Sequence, residues 1–205
     1  MSQPPKPKMT GVAGEARTVL YEREFARHSV KVLPGEFVVS DEDLVITTVL
    51  GSCVAACICD RQARIGGMNH FMLPESSGQS DPTGLAGRYG AFAMELLINE
   101  VLKRGARKAA LEAKVFGGGQ VLRGMTMNIG ERNAAFVEQF LRTEGIRIVA
   151  RDLLDVHPRR VAFFPASGVA LCRKLASADA SLLTAERSYT AKLKASPPAG
   201  EVELF

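Results

Sequence analysis

The apolar and polar positions of this chain follow two different periods, and together they predict an α+β fold. Short apolar, β-branched runs bounded by turn residues predict strands at 30–33, 37–39, 44–49, 54–58, 65–72, 111–116, 146–150, 161–164 and 169–172. Apolar residues at helical spacing predict one helix from about 88 to 104 and a second that follows Asn128 and ends at Gly145.

The pattern also divides the chain into three parts. Residues 1–28 are polar and irregular and predict a flexible N-terminal extension, whereas residues 29–175 carry the strands and helices of one domain. Residues 176–205 are rich in Ala and Ser and predict a flexible C-terminal tail. Its last residues, Glu-Val-Glu-Leu-Phe, are either a frayed end or a short peptide that docks in a groove with a basic rim.

Composition narrows the class of protein. Trp is absent and aromatic residues make up 6% of the chain, which argues against a base-stacking surface for nucleic acid. We expect no membrane insertion and no secretory signal, because the sequence has neither a long apolar run nor an apolar segment near its start. The net charge of +4 reflects either solvated element ends or a basic face for an acidic partner.

The cysteines indicate free thiols rather than a disulfide framework. Cys53, Cys57 and Cys59 are crowded together and Cys172 is remote, so we expect a reducing, cytoplasmic location. Cys57 and Cys59 are interpreted as inert buried residues. A zinc site made of these three cysteines and His70 is disfavoured, because Cys-x-Cys within one strand chelates poorly. We therefore expect no metal and no cofactor.

One predicted hairpin carries candidate chemistry. If residues 60–63 form its loop, Cys53 lies directly opposite His70, and the two Cβ atoms are about 4.5–5.5 Å apart. An imidazole at that distance can accept the thiol proton and leave a nucleophilic thiolate. A loop one residue longer or shorter would turn His70 to the other face. A purely structural role for His70 therefore remains open on the residues alone.

Several motifs, in order along the chain, resemble those of the CheD family of chemoreceptor glutamine deamidases. They are Thr-Thr-Val-Leu-Gly-Ser-Cys-Val at 47–54, Gly-Gly-Met-Asn-His-Phe-Met-Leu-Pro at 66–74, Arg88-Tyr89, Ala-Lys-Val-Phe-Gly-Gly-Gly at 113–119 and Asn-Ile-Gly-Glu-Arg-Asn at 128–133. The resemblance covers about residues 30–175. The chain departs from the family pattern at 155–160, where a glycine-rich stretch is common, and at Gly119, where Ala is frequent.

The resemblance implies a catalytic set and a fold. Cys53 corresponds to the nucleophile, His70 to the base and Thr47 to the third member, and Thr48 is the neighbouring alternative for that third position. The implied fold is a sandwich of mixed β-sheets flanked by helices, similar to that of deamidating bacterial toxins and related cysteine hydrolases.

The implied activity is hydrolysis of glutamine side chains of methyl-accepting chemotaxis receptors to glutamate, with release of ammonia through a Cys thioester. A CheC-type phosphatase is a further implied partner. The alternative is a non-catalytic adaptor of the same fold that binds receptors or such a phosphatase. A thiol protease and a transglutaminase are rivals that use the same nucleophile.

Overall fold

The computed structural model describes Thr10 and residues 19–74, 85–121, 129–178 and 180–195. The strands of these residues are β1 Val19–Glu22, β2 Arg27–Lys31, β3 Phe37–Ser40, β4 Leu44–Leu50, β5 Val54–Asp60, β6 Ile65–Asn69, β7 Glu112–Gly117, β8 Arg147–Leu153, β9 Arg159–Phe164 and β10 Val169–Lys174. The helices are α1 Leu85–Lys103, α2 Ile129–Thr143 and α3 Ala180–Ala195. None of the described helices is long and apolar enough to cross a membrane.

The strands form two five-stranded sheets. The first has the order β1-β2-β4-β9-β10 and the second the order β3-β6-β5-β7-β8. Each sheet is mixed, because β2 pairs with β4 and β7 pairs with β8 in parallel, while the other neighbours are antiparallel. The predicted α+β sandwich of mixed sheets is confirmed.

Two apolar layers hold the sandwich together, and β5 contributes to both. Val54, Ala56 and Ile58 pack in the cluster beneath α1 and α2. Cys53, which precedes the strand, and the alternate β5 side chains lie in the cluster that joins the two sheets. Because side chains of a strand alternate between faces, this strand is buried on both sides. Cys53 therefore opens into the space between the sheets.

The β5–β6 hairpin has a different register from the predicted one. Asp60 pairs with Ile65, so the loop is residues 61–64, one position later than expected. Asp60 stays in the strand because its carboxylate accepts hydrogen bonds from the backbone N–H groups of Gln62 at 2.9 Å and Ala63 at 3.1 Å. The prediction that Cys53 faces His70 directly is therefore wrong. The change moves the pairing by two positions, which keeps both side chains on the same face.

Both regions predicted to be flexible extensions contribute regular structure. β1 begins at Val19 and pairs with β2, within and just after the predicted N-terminal extension of residues 1–28. In the predicted tail of residues 176–205, α3 buries Leu182, Glu186, Tyr189 and Leu193 on one stripe. These short or Ala-rich segments carry a weak pattern of their own and are ordered by packing against the sandwich. Residues 75–84, Asn128 and the terminal Glu-Val-Glu-Leu-Phe lie outside the described residues.

Candidate active site

The segment that presents Cys53 joins β4 to β5, and we call residues 51–53 the nucleophile loop. The Cys53 side chain is fully buried. Three donors hold the carbonyl groups of this loop: Gly119 N–H on Gly51 at 2.8 Å, Asn133 Nδ2 on Ser52 at 2.8 Å and Gly118 N–H on Cys53 at 2.7 Å. With its carbonyls fixed in this way, the loop offers its N–H groups to a different partner.

The glycine loop after β7 makes this support possible. Gly117 has φ +109°, and a Cβ at this position would lie 2.2 Å from the carbonyl oxygen of Cys53. Only glycine permits both the backbone angle and the close approach. The Gly117–Gly119 run thus supports the nucleophile loop from behind. A side chain here would push Cys53 out of position.

The N–H groups of the nucleophile loop converge on the carboxylate of Glu186 in α3. Oε1 accepts from the N–H of Gly51 at 3.0 Å and of Cys53 at 3.3 Å. Oε2 accepts from the N–H of Ser52 at 3.3 Å and from its hydroxyl at 2.9 Å. The Glu186 side chain is 1% exposed, so these donors replace its water. A cluster of backbone donors beside a cysteine is the geometry that stabilises an oxyanion.

His70 follows β6 and reaches the first sheet through Thr48. Its Nδ1 lies 2.9 Å from Thr48 Oγ1, and the same hydroxyl donates to the carbonyl of Val32 at 2.8 Å. Because Thr48 donates its hydroxyl proton to the Val32 carbonyl, its oxygen can only accept from His70, so the His70 Nδ1 carries the proton. Nε2 then carries the lone pair, and this buried nitrogen has no hydrogen-bond partner among the described residues. An imidazole in this tautomer is a base with a free acceptor.

Cys53 and His70 lie on the same face of the hairpin as diagonal neighbours. Val54 pairs with Phe71, so His70 falls opposite Ala55, two positions from Cys53. Diagonal neighbours in an antiparallel pair are about 7–8 Å apart, somewhat less between Cβ atoms. Consistent with this spacing, no thiol–imidazole hydrogen bond is present among the described residues. The two groups lie on one face without a hydrogen bond between them.

Thr47 does not join this site. Adjacent residues of a strand point to opposite faces, and in β4 it is Thr48 that points between the sheets to His70. Thr47 pairs with Lys31 and Ala162 in the first sheet, and its side chain is half-buried. The structure therefore brings together Cys53, His70 and Thr48, the neighbouring alternative, in place of Thr47.

Burial governs the protonation of the two central groups. Burial raises the pKa of the Cys53 thiol well above its usual value, and the Glu186 carboxylate raises it further. Burial lowers the pKa of His70 to about 4, although the Glu186 carboxylate acts in the opposite direction. The resting site therefore holds a neutral thiol and a neutral imidazole rather than an ion pair. A thiol in this form is a poor nucleophile.

Sequence reasoning missed three residues of this site. Asn133 lies in the motif at 128–133, and its amide also accepts the N–H of Leu73 at 2.9 Å, which ties α2 to the end of the hairpin. Tyr189 of α3 is hydrogen-bonded to the hydroxyl of Tyr89 in α1. Glu186 had no detectable signal, because its partners are more than a hundred residues earlier in the chain.

Tyr89 lies on the α1 side of this site. Burial and the nearby Cys53 sulfur raise the pKa of Tyr89 to about 12, so its hydroxyl stays protonated. In the Arg88-Tyr89 motif, Tyr89 is therefore the residue that contacts the site, through its hydrogen bond to Tyr189 of α3.

Comparison with known proteins identifies the family. A family model described as CheD chemotactic sensory transduction matches residues 72–174. A probable chemoreceptor glutamine deamidase CheD of Herminiimonas arsenicoxydans is 53% identical over 193 residues, which is 93% of this chain and 95% of that protein. The chain belongs to the CheD family. Another CheD relative, from Thiobacillus denitrificans, bears the same name and is 55% identical over 193 residues, covering 93% of this chain and 96% of its own.

These relatives are matched over nearly their whole length, so the alignments extend across both Cys53 and His70. Among solved structures, the hypothetical protein YfiH of Bacillus licheniformis is 14% identical, with a TM-score of 0.35 over 58% of this chain and 48% of that one. A similarity this weak carries no argument, and the CheD assignment stands on the sequence relatives.

Proposed function

We propose that this CheD-family chain deamidates glutamine side chains on the cytoplasmic helices of methyl-accepting chemotaxis receptors, with Cys53 as nucleophile and His70 as base. The names of the relatives suggest the substrate. The observation that carries the proposal is the combination around Cys53: converging backbone N–H donors of the nucleophile loop and an imidazole whose Nε2 has no partner among the described residues, on the same face.

The first half of the reaction forms a thioester. His70 takes the thiol proton on Nε2, and the sulfur attacks the amide carbon of the glutamine. The negative charge that develops on the amide oxygen is stabilised by the N–H groups of Gly51 and Cys53, which lie next to the reacting sulfur. The protonated His70 then gives its proton to the nitrogen, the carbon–nitrogen bond breaks and ammonia leaves.

The second half restores the enzyme. His70 takes a proton from water as the water oxygen attacks the thioester carbon. The carbon–sulfur bond breaks, His70 returns the proton to the Cys53 sulfur, and glutamate remains. Thr48 acts as a positioning residue, because its oxygen holds Nδ1–H and so keeps the lone pair on Nε2. A hydroxyl orients an imidazole less strongly than a carboxylate does, so its loss is expected to be milder than the loss of His70.

A non-catalytic adaptor is the second candidate, and one observation favours it: the Cys53 thiol is fully buried and its pKa is raised. In this role the chain binds receptors or a CheC-type phosphatase without chemistry. The two candidates differ in one measurable respect, because only the deamidase changes the mass of a receptor glutamine.

The test is mass spectrometry of a receptor cytoplasmic fragment incubated with the chain. We expect glutamine-to-glutamate conversion at specific sites, abolished by Cys53→Ala and retained by Cys57→Ala, a matched variant of a buried thiol on the same face. Chain cleavage would indicate a protease and amine incorporation a transglutaminase. An unmodified fragment that still binds the chain would support the adaptor.

A further inference from the structure

Glu186 is a carboxylate in an unusual position, and α3 brings it there. Its two oxygens accept every N–H group of the nucleophile loop and the Ser52 hydroxyl, and the carboxylate also acts on the thiol of Cys53. The side chain is almost completely buried. In the deamidation chemistry, a glutamate side chain in contact with these donors and this sulfur is the product.

We propose that α3 lies in the groove that binds the substrate helix, with Glu186 in the position of the product glutamate, so that the chain inhibits itself until a substrate helix displaces α3. This inference rests on the proposed deamidase function and extends it to the shape of the substrate and the regulation of the site.

Access to the nucleophile requires such a displacement. Cys53 is 0% exposed, and it belongs to the same buried cluster as Tyr189 and Leu193 of α3. A receptor glutamine cannot contact the sulfur while α3 is in place. The groove is the surface beneath α3, and glycines in it let the helix pack closely. A Cβ on Gly35 would lie 2.6 Å from the Tyr189 ring, and one on Gly51 would lie 2.8 Å from Glu186.

Several side chains hold α3 on the sandwich besides Glu186, and Tyr189 is hydrogen-bonded to Tyr89. Three apolar side chains, Leu182, Tyr189 and Leu193, are buried beside Glu186. Thr190 adds a hydroxyl contact to the sulfur of Met72 at 3.3 Å. Burying a carboxylate is costly unless it is hydrogen-bonded, and at position 186 the donors of the nucleophile loop supply those hydrogen bonds. In the proposed reaction the same donors bind the substrate side chain, and this explains why α3 carries a carboxylate at position 186.

The buried face of α3 also indicates the shape of the substrate. Its large apolar residues stand four positions before Glu186 and three and seven positions after it, which is one face of an α-helix. The groove therefore suits an amphipathic helix with a glutamine at the central position and apolar residues at those three offsets. With glutamine there, the amide oxygen takes the Gly51 and Cys53 donors. The amide nitrogen donates to the Ser52 hydroxyl, and the Ser52 N–H loses the acceptor that Glu186 provides.

Glu186→Gln in the intact chain converts α3 from product to substrate and gives a direct test. We expect the amide introduced at position 186 to be hydrolysed, so that its peptide gains the mass change of conversion to glutamate, with a rate independent of protein concentration. The double variant Cys53→Ala/Glu186→Gln keeps its amide. The matched control Arg187→Gln places a glutamine on the exposed side of the same helix and also stays unconverted.

A second readout does not depend on turnover. We expect Glu186→Ala to increase the rate of Cys53 alkylation by iodoacetamide at neutral pH severalfold, because the carboxylate raises the pKa of the thiol and α3 covers the sulfur. Arg187→Ala should leave the rate unchanged. The other thiols serve as internal references in the same peptide map.

The outcomes separate the two claims. Conversion of the Glu186→Gln variant that requires Cys53 supports both. If a receptor fragment is deamidated in the same tube while position 186 stays an amide and Glu186→Ala leaves alkylation slow, the deamidase stands and the role of α3 is overturned. Conversion in the Cys53→Ala background would also overturn it. If neither position 186 nor the receptor is converted, the proposed function fails and this inference fails with it.

Discussion

Two buried carboxylates cap the two ends of β5, and the contrast between them separates architecture from function. At the far end, Asp60 accepts the N–H groups of Gln62, Ala63 and Arg107 at 2.9–3.1 Å. At the near end, Glu186 accepts the three N–H groups of the nucleophile loop at 3.0–3.3 Å. Both side chains are essentially inaccessible to water.

The two caps differ in where they come from. Asp60 is part of the strand it caps and cannot leave without unfolding the hairpin. Glu186 lies on α3, which follows β10 in the chain and is part of neither sheet, so its displacement leaves both sheets folded. The donors bound by Asp60 belong to the architecture of the hairpin. The donors bound by Glu186 lie beside a thiol and are released when α3 leaves, so they can serve as an active site. Asp60 therefore serves as the internal control for Glu186 and its neighbours.

The largest effect is expected on turnover. His70→Gln should lower kcat/KM for receptor deamidation by about 10³-fold, the scale of general acid–base catalysis, without a large change in Tm. Asp60→Asn should lower Tm and leave kcat of the folded fraction close to wild type. Kinetics by mass spectrometry, with the folded fraction measured in parallel, checks both. Equal losses of kcat in the two variants would mean that Asp60 matters to turnover as much as His70 does, which contradicts a purely structural role for Asp60.

Stability should show the reverse order. Asp60→Ala leaves three donors unpaired in a buried turn and should reduce the free energy of unfolding by about 3 kcal/mol. Glu186→Ala should cost only about 1 kcal/mol, because α3 can lift and water then reaches the donors. Urea unfolding of the two variants beside wild type measures this. A larger loss for Glu186→Ala would mean that α3 is an integral part of the core.

A smaller effect distinguishes the two threonines of β4. Thr48→Val removes the acceptor for Nδ1–H of His70 and should reduce kcat roughly tenfold, with a changed pH profile because the imidazole tautomer is no longer fixed. Thr48→Ser should restore most of the rate. Thr47→Val, on the other face of the strand, should have little effect. A stronger effect at 47 than at 48 would contradict the assigned geometry.

The smallest effect is on the pH dependence of stability. Burial opposes ionisation of Asp60, but hydrogen bonds from Ala63, Arg107 and Gln62 outweigh it and lower its pKa. Below about pH 4 the unfolded chain binds this proton and the folded chain does not, so the stabilisation from this group is lost as the pH falls through its folded pKa. Asp60→Asn should flatten that part of the curve in acid unfolding. An unchanged acid limb would argue against an ionised Asp60.

Much of the sandwich was predictable because its strands and two of its helices carry their own hydrophobic periodicity. The central β5 is a continuous apolar run and is buried throughout, and the amphipathic α2 buries residues at helical spacing. The four-residue β1 and the Ala-rich α3 were missed because neither segment has enough apolar residues for a clear periodic pattern. They become regular only when the rest of the fold supplies a sheet edge or a groove.

The site was predictable in its residues and not in its geometry. Cys53 and His70 come from adjacent strands, so a local argument reaches them, but the register depended on Asp60 staying in its strand to cap the turn. The choice between Thr47 and Thr48 depends on which face of β4 meets the other sheet. The placement of Glu186 beside Cys53 depends on long-range packing alone, and no spacing in the sequence connects the two positions.

Deamidation at the Cys53 sulfur can be tested by one titration of the cysteines. The chain is partly alkylated with iodoacetamide for increasing times, and each sample is divided between peptide mapping of the four cysteines and an assay of receptor deamidation. We expect the remaining activity to fall in direct proportion to the fraction of unmodified Cys53 and to reach zero when that fraction does. Full activity in a sample whose Cys53 is completely alkylated would contradict this expectation.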